Sequence, residues 1–356
     1  MNGRDARLAA HAAVSTSLAL CGDRELRERV NAAPPLGSGI GGTSALLDVE
    51  GTPVFVKQVR LTDIERRPEN VHSTANLFAL PAFCHYGIGT VGSPGLGAWR
   101  ELAVHVMTTN WVLAGEHEGF PLTHHWRVLP AEPRPLPEEL ADVERAVAYW
   151  GGGTEIRRRI EALRDSSARL VLFLEYLPET LHHWLDERIA AGGTTAERAC
   201  AMVERELDSG ISFMNAQGLL HLDAHFENIL TDGRRLYFAD FGLALSSRFQ
   251  LAPDEADFLH RHLSYDRRYA ATYLVNWLSV ALYGHPPPER AAFVRACARG
   301  DVPENVSAGV AALLARHAPV AEVMGEFFRR FRQESRATPL PPENVSGTHS
   351  SGGLGS

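Results

Sequence analysis

The sequence predicts an α+β fold in which strands dominate the first half of the chain and helices the second half. Two short apolar segments flank a glycine-rich turn near residue 40, and a third apolar segment ends in a lysine at residue 57. After residue 178 the apolar residues recur at helical spacing over long segments. With 356 residues, of which 45% are hydrophobic, the chain can form one large globular protein or two packed units.

The first 35 residues are predicted to form a helical extension. Leu18 and Leu26 lie among charged neighbours in residues 5–30, which favours one amphipathic helix that ends before Pro34. Polar residues interrupt this segment, so it is a poor core for a signal peptide. The four cysteines are scattered without a C-x-x-C pair, which is typical of a reducing compartment, and we therefore expect a cytoplasmic protein.

A β-hairpin with a glycine-rich turn is predicted next. Gly37, Gly39 and Gly42 fit the spacing G-x-G-x-x-G, and the third strand of this region ends in Lys57. A dinucleotide-binding loop with the same spacing opens a helix, whereas this one opens a hairpin. Glycine lacks a Cβ atom, so such a backbone can approach phosphate groups closely, with a lysine nearby to balance their charge. A surface loop and a solvated lysine are the alternatives.

A helix is predicted over residues 99–113, and it carries an acidic residue in its first turns. Glu101 is the best candidate for a carboxylate that pairs with Lys57. The alternative is a solvated glutamate favoured by the helix dipole. Glu116 and Glu118 are weaker candidates near the end of the helix.

Two insertions are predicted in the β-rich half. Residues 60–98 are rich in glycine and indicate no regular element, and residues 131–168 predict a helical hairpin broken by three glycines. A strand over residues 120–130 separates the two insertions. The role of both insertions is left open by the sequence.

The second half is predicted to be helical around short strands. Its helices are expected over residues 179–191, 196–217, 255–283 and 289–331. Gly218 ends the second of them, as a residue with positive φ commonly does. The last residues, 335–356, are rich in Pro, Ser and Gly and predict a disordered tail.

The strongest chemical pattern lies between short apolar segments of the second half. His221, Asp223 and Asn228 form H-x-D-x-x-x-x-N, and Asp240 begins the sequence D-F-G. Phosphoryl transfer from ATP needs one carboxylate that faces the attacking hydroxyl, and oxygen ligands that hold Mg²⁺ against the phosphates. Either motif alone is weak, because Asp, Asn and Gly are common in turns. The two motifs in this order are a strong signal.

Together with the glycine hairpin and the lysine strand, these motifs resemble the protein-kinase-like superfamily of eukaryotic-type protein kinases and aminoglycoside-phosphotransferase-like kinases. The resemblance covers roughly residues 36–285 and implies a bilobal fold. The implied division is a helical extension at residues 1–35, a β-rich N-lobe with one main helix at 36–177, a mostly helical C-lobe at 178–334 and the tail at 335–356.

The resemblance implies an ATP-dependent kinase that uses Mg²⁺ and transfers the γ-phosphoryl group to an acceptor hydroxyl. Asp223 is expected to orient the hydroxyl and accept its proton, and Asn228 and Asp240 to bind Mg²⁺. Lys57, paired with Glu101, and the three glycines are expected to hold the phosphates.

A buried strand over residues 170–174 leads into a segment that resembles the hinge between kinase lobes. There the backbone C=O near Glu175 and the N–H near Leu177 are expected to contact the adenine of ATP. An ordinary turn between a strand and a helix is the alternative.

Departures from the family pattern slightly favour a small-molecule acceptor. Leu222 replaces the arginine that pairs with a phosphorylated activation loop in regulated protein kinases. His225 stands where protein-serine kinases have a lysine, and the nearest match to A-P-E, ending at Glu255, follows D-F-G too closely for a usual peptide-docking segment. A Ser/Thr protein kinase and a nucleotide-binding pseudokinase or scaffold are the alternatives.

Charge and hydropathy limit the partners. The net charge of −8 disfavours a nucleic acid. No apolar run approaches the roughly 20 residues that a membrane span needs. We expect a small-molecule or protein hydroxyl group as the substrate, and the oligomeric state is left open.

Overall fold

The computed structural model describes residues 3–39, 42–89 and 91–343, which form an α+β fold. The strands are β1 (Pro35–Gly39), β2 (Gly42–Val49), β3 (Thr52–Leu61), β4 (Thr123–Pro130), β5 (Ala168–Glu175), β6 (Leu219–Leu220), β7 (Ile229–Thr231), β8 (Leu236–Phe238) and β9 (Leu245–Ser246). The helices are α1 (Gly3–Leu20), α2 (Asp23–Ala32), α3 (Ala98–Ala114), α4 (Glu138–Ala141), α5 (Val143–Tyr149), α6 (Thr154–Arg164), α7 (Leu181–Ala191), α8 (Gly193–Ala216), α9 (Pro253–Arg261), α10 (Tyr265–Tyr283), α11 (Pro287–Ala298) and α12 (Ala308–Gln333), with short 3₁₀ turns at Pro68–Asn70 and Ala82–His85.

The main sheet is antiparallel, with the strand order β1-β2-β3-β5-β4. Side chains alternate between its two faces. On one face Phe173 packs with Leu18 of α1 and Leu26 of α2, and on the other face Leu172 packs with Trp99 of α3. Burying a side chain such as that of Phe173 contributes about 1.5–3 kcal/mol. Helices on both faces therefore stabilise the central strands.

The amino-terminal extension is two helices, so the predicted single helix over residues 5–30 is wrong. Gly22, between α1 and α2, has φ −72° and ψ 156°, which is an extended conformation. Glycine is a poor helix former, and the turn there allows Leu18 and Leu26 to enter the same core beside the sheet.

The two insertions contact each other. Helices α4, α5 and α6 form the predicted helical part of the second insertion. Tyr149 donates its hydroxyl hydrogen to the carbonyl of Ile88 over 2.9 Å, and the indole N–H of Trp150 donates to the carbonyl of Gly92 over 2.9 Å. The second insertion thus fixes the position of the first one, residues 60–98.

The largest apolar core joins the helices of the second half to α3 and to both insertions. It also includes residues of the short strand pairs β6–β9 and β7–β8. Gly218 follows α8 with a φ of +69°, which confirms the predicted end of that helix. No helix among the described residues is long and apolar enough to cross a membrane.

The prediction of a disordered tail is wrong for residues 335–343. Arg336 donates from Nε to the carbonyl of Tyr149 over 2.7 Å and lies over that residue's ring, 3.8 Å from its centroid. Thr338 is buried. This charged and aromatic contact holds the segment in place, and residues 344–356 lie outside the described part of the chain.

Candidate functional site

Lys57 lies in the middle of the main sheet, where Ser44 of β2 and Leu172 of β5 pair with it on either side. Its ammonium nitrogen Nζ is 2.7 Å from Oε1 of Glu101 on α3 and 2.9 Å from Oδ1 of Asp240. The side chains of Lys57 and Glu101 are both buried. The structure therefore brings together three of the predicted site residues from three distant parts of the sequence.

Lys57 and Asp240 stabilise each other's charged forms. Burial disfavours the charged form of Lys57, but the carboxylates of Asp240 and Glu101 outweigh burial and hold the pKa of Lys57 above its ordinary value. Burial also disfavours ionised Asp240, yet Lys57 outweighs it and lowers the pKa of Asp240 to about 2. A charged lysine beside an ionised aspartate is thus the stable arrangement at neutral pH.

The loop between β6 and β7 carries Asp223 and Asn228. The side-chain amide of Asn228 donates to the backbone carbonyl of Asp223 over 3.0 Å and to its Oδ2 over 3.2 Å. The N–H of Ala239 donates to the carbonyl of Asn228 over 3.0 Å, which connects this loop to the residue before Asp240. The two motifs of the sequence are therefore joined by direct hydrogen bonds.

One carboxylate oxygen of Asp223 makes no hydrogen bond within the part of the chain that the structure describes. Its Oδ1 is buried and has no hydrogen-bond partner among the described residues. Burial and the nearby charge of Asp240 raise the pKa of Asp223 well above its ordinary value. An acceptor with raised proton affinity is suited to take a proton from a hydroxyl group.

Asp266 positions the loop between β6 and β7, and sequence analysis did not identify it. Its buried carboxylate accepts the backbone N–H of His221 over 2.6 Å and of Leu222 over 2.8 Å. These bonds hold Leu222 at φ +66°, a left-handed conformation that costs a non-glycine residue about 1–3 kcal/mol. The partners lie just after β6 and in α10, more than 40 positions apart in the chain, so no local motif records their contact.

The ring of His221 joins the loop between β6 and β7 to the residue before Asp240. One ring nitrogen, Nε2, is 2.9 Å from the carbonyl of Ala239. Burial lowers the pKa of His221 to about 4, so the ring is neutral at pH 7 and Nε2 can donate to that carbonyl. The ring of Phe241 lies between the rings of His221 and His105, with centroid distances of 5.1 and 5.2 Å. This row of rings connects α3 to the loop between β6 and β7.

The glycine hairpin joins β1 and β2, as predicted. Gly39 pairs with Gly42, and the tip at residues 40 and 41 lies outside the described part of the chain. Gly42 has a φ of +122°, and a Cβ atom there would lie 2.2 Å from the carbonyl oxygen of Gln58. Only glycine fits this position. Gly37 has more room, since the nearest atom to a Cβ there would be 3.7 Å away.

Glu175 and Leu177 lie where β5 leads toward α7. The carboxylate of Glu175 accepts Nε of Arg7 over 2.7 Å and the N–H of Leu122 over 3.0 Å. The side chain of Glu175 therefore joins α1 to this segment. Within the described part of the chain nothing accepts the N–H of Leu177, which leaves that donor available.

A cavity of about 310 Å³ contains the acidic site residues. Glu101, Asp223, Asn228 and Asp240 line it. Both insertions form its walls, through residues 86–89 and 91–95 of the first and through the second insertion's Leu136, Leu140 and Arg159. The insertions, whose role the sequence left open, therefore shape the space beside Asp223.

The weaker carboxylate candidates do not reach Lys57. Glu118 pairs instead with Arg4 and Arg235, and Glu116 has no ion pair among the described residues.

No protein-family model matches the chain, and a search of curated proteins finds no match. Its function is therefore inferred from the geometry of the residues themselves.

Proposed function

We propose that the protein is an ATP-dependent kinase with a bilobal, protein-kinase-like fold. The observation that carries the proposal is that the buried pair Lys57–Glu101 contacts Asp240. One cavity is lined by this Glu101 and Asp240 together with Asp223 and Asn228. A lysine held by a carboxylate, beside two oxygen-bearing groups and a free carboxylate oxygen, is the set that phosphoryl transfer requires.

The lysine and the hairpin hold the phosphates in this proposal. Lys57 is kept charged and aimed by Glu101, so it can neutralise charge on the α- and β-phosphates. The backbone of the hairpin at Gly37, Gly39 and Gly42 covers them, and the free N–H of Leu177 binds the adenine edge. Positioning and charge neutralisation are the main sources of rate enhancement in this reaction.

Asn228 and Asp240 fit a magnesium site. Both offer hard oxygen ligands, both line the cavity with Asp223, and the ionised form of Asp240 is stable at neutral pH. When bound, Mg²⁺ supplies positive charge against the phosphate oxygens. Asp223 accepts the proton of the acceptor hydroxyl at its carboxylate and orients the attacking oxygen.

A small-molecule hydroxyl group is the favoured acceptor. The cavity beside Asp223 has walls from both insertions, and a second cavity of about 410 Å³ shares the wall at residues 87–89. Such concave, partly apolar spaces are typical of small-molecule sites. Only residues 243–252 separate D-F-G from α9, which leaves little chain to align a peptide. A Ser/Thr protein kinase is the second candidate.

Transfer of radiolabelled phosphate from ATP tests the proposal. Wild type, Asp223→Asn and the exposed control Asp257→Asn are incubated with Mg²⁺ and a panel of hydroxyl metabolites. Loss of a general base lowers turnover by about 10²–10⁴-fold, so label transfer is expected to fall by that factor in Asp223→Asn and to persist in the control.

Each other outcome selects a different function. Equal transfer by wild type and Asp223→Asn would count against the catalytic role of Asp223. Transfer to protein alone would favour the protein-kinase alternative. ATP binding without transfer or hydrolysis would favour a pseudokinase.

A further inference from the structure

Helix α3 has a second charged anchor beside Glu101. The guanidinium of Arg100 donates to both carboxylate oxygens of Glu255 on α9, with Nη1–Oε1 at 2.7 Å and Nη2–Oε2 at 3.1 Å. Arg100 is 2% exposed and Glu255 is 0% exposed. Bidentate pairs of this kind are geometrically specific as well as strong. The buried pair therefore fixes where the first turn of α3 lies relative to the chain that follows D-F-G.

Both partners are themselves held in place. Arg100 also donates from Nε to the carbonyl of Thr74 over 2.8 Å, and its guanidinium lies over the ring of Phe249. The carboxylate of Glu255 accepts the N–H of Ala252 over 3.2 Å at the start of α9. The contact thus joins the first insertion, α3 and the segment at residues 243–252.

Arg100 and Glu101 point to different neighbours because consecutive residues of an α-helix are about 100° apart around its axis. Glu101 reaches Lys57, while Arg100 reaches Glu255. Two anchors in different directions determine the rotation of the helix about its axis, which neither would do alone. The orientation of α3 that gives the Lys57–Glu101 contact therefore depends on the chain after D-F-G.

We propose that Arg100 and Glu255 are positioning residues that hold α3 in the orientation required for the Lys57–Glu101 pair, so that the site is assembled without phosphorylation of the segment at residues 243–252. A phosphate group orders such a segment by offering anionic oxygens to an arginine. Glu255 offers two anionic oxygens to Arg100 permanently. The inference rests on the proposed kinase function, and it concerns how the site is kept assembled.

The test compares Glu255→Gln with wild type in two measurements. Glutamine keeps the size and one acceptor for the N–H of Ala252 but loses the ionic fork. We expect a fall in kcat of about 10-fold or more with little change in the KM for ATP, since alignment rather than nucleotide binding is lost. We also expect the backbone amides of α3 to exchange hydrogen about 10-fold faster, while those of β3 and β5 remain protected.

Two further variants separate positioning from general loss of stability. Arg157→Met breaks an exposed bidentate pair with Glu144 and is the matched control, expected to leave kcat and α3 exchange unchanged. If Glu255→Gln fails to fold, Arg100→Lys takes its place in the test. Lysine keeps the positive charge but cannot form the bidentate contact, so a kcat between those of wild type and an unpaired variant is expected.

Wild type treated with phosphatase, and shown by intact mass to carry no phosphate, is expected to keep full ATP turnover. Loss of turnover on dephosphorylation would overturn the proposal, as would wild-type kcat and α3 exchange in Glu255→Gln. Absence of ATP turnover in the wild type would refute the kinase function instead, and the exchange measurement on α3 would then still decide the role of the pair.

Discussion

Gly87→Ala is expected to impair catalysis without removing any polar group. Gly87 lies in the first insertion, with its backbone against the carboxylate of Asp223. A Cβ atom there would be 1.9 Å from Oδ1 and 2.4 Å from Cγ of Asp223. The φ of Gly87 is one that other residues adopt, so alanine causes strain here through the contact alone.

The size of the effect follows from this distance. Ordinary van der Waals contact for a Cβ atom begins at 3.4 Å, so the carboxylate or the segment has to move by about 1.5 Å. A misplacement of about 1 Å in an active site lowers the rate roughly 100-fold, which corresponds to about 2.7 kcal/mol in activation free energy. We expect at least this loss in the turnover of ATP.

Turnover and nucleotide binding are measured together. ATP affinity from calorimetry is expected to stay within about twofold of wild type, because the phosphates and adenine lie elsewhere in the proposed complex. Gly22→Ala is the control, since a Cβ atom at that position would meet nothing within 4 Å. Turnover of Gly87→Ala close to the wild-type rate would refute the assignment of Asp223 as the group that faces the acceptor.

Three further substitutions test other parts of the site. Asp240→Asn removes the negative charge beside Lys57 and, in the proposed site, a ligand of Mg²⁺. We expect a higher Mg²⁺ requirement or no turnover, and an unchanged Mg²⁺ dependence would exclude the metal role. Asp266→Asn places an amide N–H against one of the backbone N–H groups that Asp266 now accepts, those of His221 and Leu222. Urea denaturation is expected to show a loss of about 1–3 kcal/mol in the free energy of unfolding, and no loss would mean that these bonds are unimportant. Arg7→Met leaves the carboxylate of Glu175 without its cation, and we expect a lower melting temperature, which an unaltered melting curve would contradict.

Local patterns in the sequence predicted much of the site. The turn with Gly42 and the strand with Lys57 are adjacent in the chain, so spacing and strand propensity identified the hairpin. The position of Glu101 early in a clear helix makes it the candidate partner of Lys57, and the structure places it against Lys57. These predictions succeeded because each depends on residues that are neighbours in one or two elements.

Contacts between distant parts of the chain could not be predicted. Arg100 and Glu255 are 155 positions apart, and Asp266 is 44 positions from Leu222, so no short spacing connects them. The insertions gave no hint that Gly87 would lie against Asp223, because a glycine-rich segment has little side-chain pattern from which to infer packing. Tertiary packing decides these contacts.

The two smaller apolar cores, on either face of the main sheet, have a consequence for biosynthesis. Every residue in them precedes Glu175, the last residue of β5, and their most distant member is Leu174. The large core, by contrast, extends to Phe331 in the final helix. During translation the sheet and its covering helices can therefore complete their packing while the ribosome is still producing the second half of the chain. A nascent chain stalled after β5 has emerged already contains every residue of these two cores.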